Sequence, residues 1–175
     1  TLDPLAEGCL VLGVGNGTKI MTEYLSGPKR YRGTGILGTE TDTLDSTGVV
    51  TRSADYGHIT LKKLQDVLPT FTGDIMQIPP MYSALHVDGQ RLYKLARAGK
   101  VVERSARPVT VHELSLLPLT DGEQETILPY FSLDIKCSGG TYVRSLIEDI
   151  GRELSCAAHM TALTRTKQGP FNLED

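Results

Sequence analysis

No apolar run in this sequence approaches the roughly 18 residues that a membrane-crossing helix needs. No secretory signal is visible, although position 1 is Thr rather than Met. Cysteine is scarce: Cys9, Cys137 and Cys156 are odd in number and widely spaced. They form no CxxC pair and no zinc pattern. That argues against a disulfide framework and for a reducing, intracellular compartment, without separating nucleus, cytoplasm and mitochondrion. Internal repeats and low-complexity tracts are missing too. So is an excess of positive charge, since 18 Lys and Arg against 21 Asp and Glu leave a net charge of -3. This speaks against indiscriminate nucleic-acid binding but allows a local basic face, because the field at a cleft depends on distribution.

What is present is an ordinary globular composition over 175 residues, which fits one domain or one domain and part of another. A chain of this size buries roughly two-thirds of its unfolded surface. The basic residues cluster at Lys29, Arg30 and Arg32, then from Arg91 to Arg107, then at Arg144, Arg165 and Lys167. The acids gather at Glu40 to Asp45 and Asp121 to Glu125.

Periodicity predicts interspersed strands and helices. CLVLGVG reads as a short buried strand, and TKIMTEYLSG as a helix ending near Gly27. KRYRGTGILG reads as a strand, TETDTLDSTG as a polar loop, and VVTR as an edge strand. Apolar spacing at Leu61, Leu64, Val67 and Leu68 predicts a helix with Thr60 as N-cap. Two prolines make QIPPMYSALHVDG extended. QRLYKLARAG is a basic amphipathic helix stopped by Gly99. RPVTVHELSLLPL and YFSLDIKCSGG alternate as strands, with DGEQETILP a turn between them. TYVRSLIEDIGRELS is the clearest helix, with Thr141 as its cap, and HMTALTRTKQGPF returns as a strand. The expected fold class is α+β, a mixed but mostly antiparallel sheet with packed helices.

The glycine run GVGNGTK invites a phosphate-loop reading and fails it. A P-loop needs GxxxxGK followed by Ser or Thr, and here Lys19 follows Thr18 with Ile20 behind it. The dinucleotide fingerprint GxGxxG fails as well, because position 18 is not Gly. Gly13, Gly15 and Gly17 therefore read as a turn joining a strand to a helix. Lys19 is either a solvated residue or a phosphate contact.

Several stretches, each unremarkable alone, occur together in order: TLDPLAEGCLVLGVGNGTK, KRYR, TDTLDSTG, QIPPMYSALHVDGQRLYKLARAG, RPVTV, CSGGTYVRSLIEDIG and LTRTKQGPF. Together they resemble the TruB-type pseudouridine synthases, with the dyskerin group as more distant relatives. The family's catalytic loop reads GHxGTLDPLAxGxLxxxxGxxTK. The similarity covers essentially the whole chain, and its wording is closer to eukaryotic members than to bacterial ones.

The resemblance implies isomerisation of a T-loop uridine of tRNA to pseudouridine. It makes Asp3 the nucleophile and Arg144 its fixed ion-pair partner. Tyr31 would stack on the extruded uracil and shuttle a proton. Tyr142 and Leu163 would line the substrate pocket. The residue chemistry is compatible: an ionised carboxylate in a closed pocket needs a fixed cation, and Arg can hold one bidentately. No redox change and no external nucleophile enter the reaction, so no cofactor or metal is expected. The target base must be flipped from its stack, at a cost of a few kcal/mol. Tyr82, Arg91, Tyr93, Lys94, Arg97 and Lys100 are the candidate RNA contacts, on a block that forms a mobile thumb in the family, with Lys19 a weaker candidate outside it. His86 is a weaker candidate, while Asp42 and Asp45 are expected to brace the loop beside the site. The expected partner is the tRNA T-arm, with messenger RNA as a further candidate, and the expected state is a monomer with no membrane association.

The family pattern also predicts that the chain begins inside the catalytic loop, after its Gly-His and first strand. It would then be one catalytic domain over 1–175 without a C-terminal PUA domain. Rival readings are a non-catalytic tRNA-folding module, a guide-dependent synthase of the dyskerin kind, and a generic α/β nucleotide enzyme. Each residue also has a plainer role open to it: Asp3 before Pro4 as a turn, Arg144 as a surface ion pair, and Tyr31 and Leu163 as packing.

Overall fold

The computed structural model describes residues 2–87, 89–118 and 128–174, so most of the turn expected at DGEQETILP lies outside the described residues. β1 (Ala6–Gly8), a 3-10 turn (Gly15–Ile20) and α1 (Met21–Ser26) lead into β2 (Lys29–Leu37). A small ribbon, β3 (Thr39–Thr41) and β4 (Val50–Ser53), precedes α2 (Leu61–Val67), a second 3-10 turn (Leu68–Phe71) and β5 (Gly73–Gln77). The hairpin of β6 (His86–Val87) and β7 (Gln90–Arg91) runs into α3 (Leu92–Arg97). β8 (Arg107–Leu117), β9 (Tyr130–Cys137), α4 (Val143–Glu153), β10 (Ala158–Gln168) and β11 (Phe171–Asn172) complete the order.

Seven strands make one sheet in the order β1-β10-β2-β9-β8-β5, with β11 beside β10. β1 runs parallel to β10, and the other pairs are antiparallel. This is the mixed, mostly antiparallel α+β fold expected from the sequence. The core lies between the sheet and α4. Along β9 the buried residues Phe131, Leu133, Ile135 and Cys137 alternate with half-buried ones. On α4, Val143, Leu146, Ile147 and Ile150 recur at helical spacing and are buried. They close on β2 because β2 offers glycine there. A Cβ on Gly35 would stand 2.6 Å from the Phe131 ring and 2.8 Å from Ile147, and one on Gly33 would stand 2.9 Å from Val143.

Three local expectations are corrected. CLVLGVG is not a buried strand: β1 ends at Gly8, and Leu12 and Val14 are 76% and 86% exposed. Apolar composition was not enough where no neighbouring strand offers a ladder. Thr141 does not cap α4. Its hydroxyl donates to the Ser138 carbonyl, and the cap position is Tyr142. The polar loop TETDTLDSTG begins with a strand, β3, paired to β4. β5 was not anticipated at all. Thr60 does cap α2, accepting from the Lys63 amide at 3.2 Å. Among the described residues no helix is long and apolar enough to cross a membrane.

Candidate active site

Asp3 sits on the approach to β1, where the Ala6 amide donates to its carbonyl at 2.9 Å. β1 then pairs Ala6, Glu7 and Gly8 with Leu163, Thr164 and Arg165 of β10. Gly8 has φ +105, and a Cβ there would come within 2.3 Å of the Arg165 carbonyl oxygen. Glycine is therefore what lets the two strands approach closely enough to hold Asp3 in place.

Arg144 comes from the first turn of α4, and that turn is clamped by the end of β5 and the residue after it. The Gln77 side chain accepts from the Tyr142 amide at 2.8 Å and donates to the Tyr142 carbonyl at 3.1 Å. The Ser145 hydroxyl donates to the Ile78 carbonyl at 2.9 Å. The Arg144 side chain is 3% exposed, and its Nε lies 2.9 Å from Asp3 Oδ2. That contact is an ion pair without the alignment of a hydrogen bond. Its Nη1 donates to the Thr43 carbonyl at 2.9 Å and lies 3.4 Å from Asp45 Oδ2. Its Nη2 donates to the Tyr82 carbonyl at 3.0 Å. One guanidinium thus ties four chain segments together.

Asp45 is buried and fully engaged: its Oδ1 accepts from the Thr43 hydroxyl at 2.7 Å and from the Thr47 amide at 3.0 Å. Leu44 before it takes φ 63, an unusual conformation for a branched side chain that turns Asp45 toward Arg144. Asp42 accepts from the Val49 amide at 2.8 Å. Both acids brace this loop, as expected.

A cavity of about 880 Å³ opens over these groups, walled in part by Asp3, Tyr31, Asp45, Tyr82, Arg144 and Arg165. A smaller one of about 130 Å³ is shared by Asp3, Tyr31, Tyr142 and Leu163. Burial pushes the Tyr31 hydroxyl up to about 12, against the opposing pull of the neighbouring Arg165 guanidinium. Burial also raises the Tyr142 hydroxyl, with Ser83 pulling the other way. All five residues assigned to the reaction and its pocket therefore meet at one place.

The assigned RNA contacts divide. Tyr82, Tyr93 and Arg97 line the large cavity, with the Arg97 guanidinium 5.5 Å from the centre of the Tyr93 ring. Lys19, Arg91, Lys94, Lys100 and His86 are exposed and stand outside the cavity walls. Sequence reasoning passed over Lys29 and Arg165, which are buried and line the cavity. Arg165 is the register partner of Tyr31 across β2 and β10. The signal was period-two alternation, which puts Leu163 and Arg165 of LTRT on one face of a strand.

The TruB family pseudouridylate synthase (N terminal domain) matches residues 1–143. The tRNA pseudouridylate synthase B C-terminal domain matches residues 144–175. The chain is 56% identical over 174 residues to pseudouridylate synthase TRUB1 of Mus musculus, covering 99% of this chain and 49% of that protein. It is 45% identical over 174 residues to tRNA pseudouridine synthase B of Geobacter sulfurreducens, covering 99% of this chain and 55% of that protein. The chain thus spans about half the length of the curated relatives it matches. A chain in the crystal structure of a Cbf5-Nop10-Gar1 complex superposes with TM-score 0.70 at 27% identity, covering 99% of this chain and 40% of that one.

Proposed function

The chain belongs to the TruB family of pseudouridine synthases, and on that premise we propose that it isomerises a T-loop uridine of tRNA to pseudouridine. In this reaction the bond from ribose C1′ to N1 of uracil breaks, the base turns, and a bond from C1′ to C5 forms. The C5 proton is lost and N1 ends protonated, so no atom is gained overall. The observation that carries the reading is the ion pair of Asp3 with the buried Arg144 at the wall of the cavity, with Tyr31 beside it.

Asp3 is the nucleophile in this proposal. Arg144 keeps its carboxylate aimed into the cavity, and such positioning is where much of an enzyme's advantage arises. Tyr31 keeps its proton at neutral pH, since burial pushes its hydroxyl up to about 12. It therefore enters as a phenol that stacks on the flipped base and passes a proton on as it receives one. Tyr142 and Leu163 form the wall against which the uracil turns. The exposed bases Lys19, Arg91, Lys94 and Lys100 contact RNA phosphates outside the cavity. The proposed substrate is the T-arm, acted on by one catalytic domain as a monomer, with messenger RNA as a further substrate class. The greater identity to the proteins named TRUB1 and tRNA pseudouridine synthase B than to the Cbf5 chain supports the tRNA reading over the guide-dependent one.

The test is release of tritium from uracil C5 of a T-arm hairpin, with Asp3→Ala in parallel. Turnover by the wild type and none by the variant, with hairpin binding retained, is the expected result. Binding without turnover by either protein would point instead to a tRNA-folding module.

A further inference from the structure

Lys29 and Arg165 are 8% and 4% exposed, and both line the large cavity. Lys29 opens β2, and its Nζ donates to the carbonyls of Leu25 and Gly27 at 2.8 and 2.7 Å. Arg165, on the neighbouring strand β10, donates from Nε to the Cys9 carbonyl at 2.7 Å. These contacts anchor the two side chains and leave donors over. Arg165 Nη2 is buried and makes no hydrogen bond among the described residues. Among the described residues neither cation has an ion-pair partner.

The two cations are close enough to act on each other. Burial lowers the Lys29 pKa, and the charge of Arg165 lowers it further. Among the described residues no carboxylate stands at ion-pairing distance from either cation. Burial pushes the Cys137 thiol up to about 11, so it is neutral at physiological pH. Asp3, which shares the small cavity with Arg165, is already paired with Arg144. Gln168, on the same wall, has an orphaned acceptor in Oε1 but carries no formal charge. Two buried like charges facing an open space, one with an empty donor, cost stability unless an anion completes them.

We propose that Lys29 and Arg165 form a phosphate subsite, a basic wall that takes one backbone phosphate flanking the uridine held at Asp3. The proposal rests on the RNA isomerase reading and adds to it a fixed contact inside the cavity. In a nucleotide the ribose stands between base and phosphate. A base seated against Tyr31 with its C1′ near Asp3 therefore brings a phosphate to the same wall. Arg165 joins the two places, since it lies beside the Tyr31 hydroxyl and borders both cavities. An arginine fork suits phosphate oxygens, and Lys29 adds a point charge.

The experiment is a methylphosphonate scan. Each phosphate flanking the target uridine of a T-arm hairpin is neutralised in turn, and binding is measured to the Asp3→Ala protein with native or substituted Arg165. One neutral linkage is expected to weaken binding about ten-fold or more, the effect of losing a charge-assisted hydrogen bond. Arg165→Gln is expected to weaken the native hairpin by a similar factor and to show no further loss with that linkage. Arg165→Lys is expected to restore part of the dependence. The proposal is overturned if every linkage leaves binding within about two-fold of the native hairpin, or if the linkage and Arg165→Gln losses multiply. Because the scan alters the RNA, it remains decisive should an Arg165 variant fail to fold. Wild-type turnover of the native hairpin, run beside it, tests the isomerase reading separately. Turnover without phosphate dependence removes the subsite alone, and phosphate dependence without turnover removes the reaction alone. A protein that does not hold the hairpin removes both.

Discussion

Removing the Arg144 guanidinium strands two carboxylates at once, Asp3 and the buried Asp45, and frees the carbonyls of Thr43 and Tyr82. Arg144→Ala is therefore expected to cost about 3 kcal/mol of stability, the usual scale for breaking a buried pair from one side. Urea unfolding beside the wild type measures it. A change below about 0.5 kcal/mol would mean that the network is not structurally important. A different residue sets a pH dependence. Burial raises the Glu148 carboxyl to about 7, although Arg152 lies 2.8 Å away and pulls it down. A folded value above the unfolded one means that the native state holds the proton more tightly. The stability this contributes is full below the ordinary carboxylate range and is lost as pH rises through about 7. Glu148→Gln should flatten the fall in stability between about pH 5 and about pH 8. Unfolding midpoints at the two values check it, and an unchanged slope would assign the titration elsewhere.

Elements carry these residues, so their packing limits how well the site can be held. Gly35 lets α4 sit on β2, and a Cβ there has no room between the Phe131 ring and Ile147. Gly35→Ala is expected to cost about 1–3 kcal/mol by overpacking. It should also slow turnover, because a displaced α4 takes Arg144 with it. Thermal unfolding read beside tritium release checks both, and an unchanged rate would show that the helix start is fixed by Gln77 and Ser145 alone. The same elements show which features the sequence discloses. β9 and α4 were legible because their periods of two and 3.6 are strong, and so was the pairing of Asp3 with Arg144, through the family's motifs. β5 was hidden because GDIMQ is short, half polar and followed at once by IPP. Leu12 and Val14 misled because apolar residues also stand on surfaces. Arg165 was visible as a base but not as part of the site, since its position opposite Tyr31 depends on a strand pairing between distant parts of the chain.

For the whole molecule, net charge and local charge point in opposite directions. The total is -3, yet exposed bases gather around α3 and Lys29 and Arg165 line the cavity. Hairpin affinity should therefore fall steeply with salt despite the acidic total. Lys94→Ala and Lys100→Ala should each lower the slope of log affinity against log salt by about 1. Titrations at several salt concentrations measure it, and an unaltered slope would place both lysines away from the RNA. Finally, Ala6 of β1 pairs with Leu163, and β10 fills the gap between β1 and β2. A ribosome makes Asp3 long before it makes the strand that holds it. Until α4 and β10 are made, the nascent chain carries the carboxylate with no Arg144 to meet it and no sheet to seat it. The proposed activity should appear only once β10 has left the exit tunnel, and messages cut short before that strand should yield protein that neither closes its sheet nor turns over RNA.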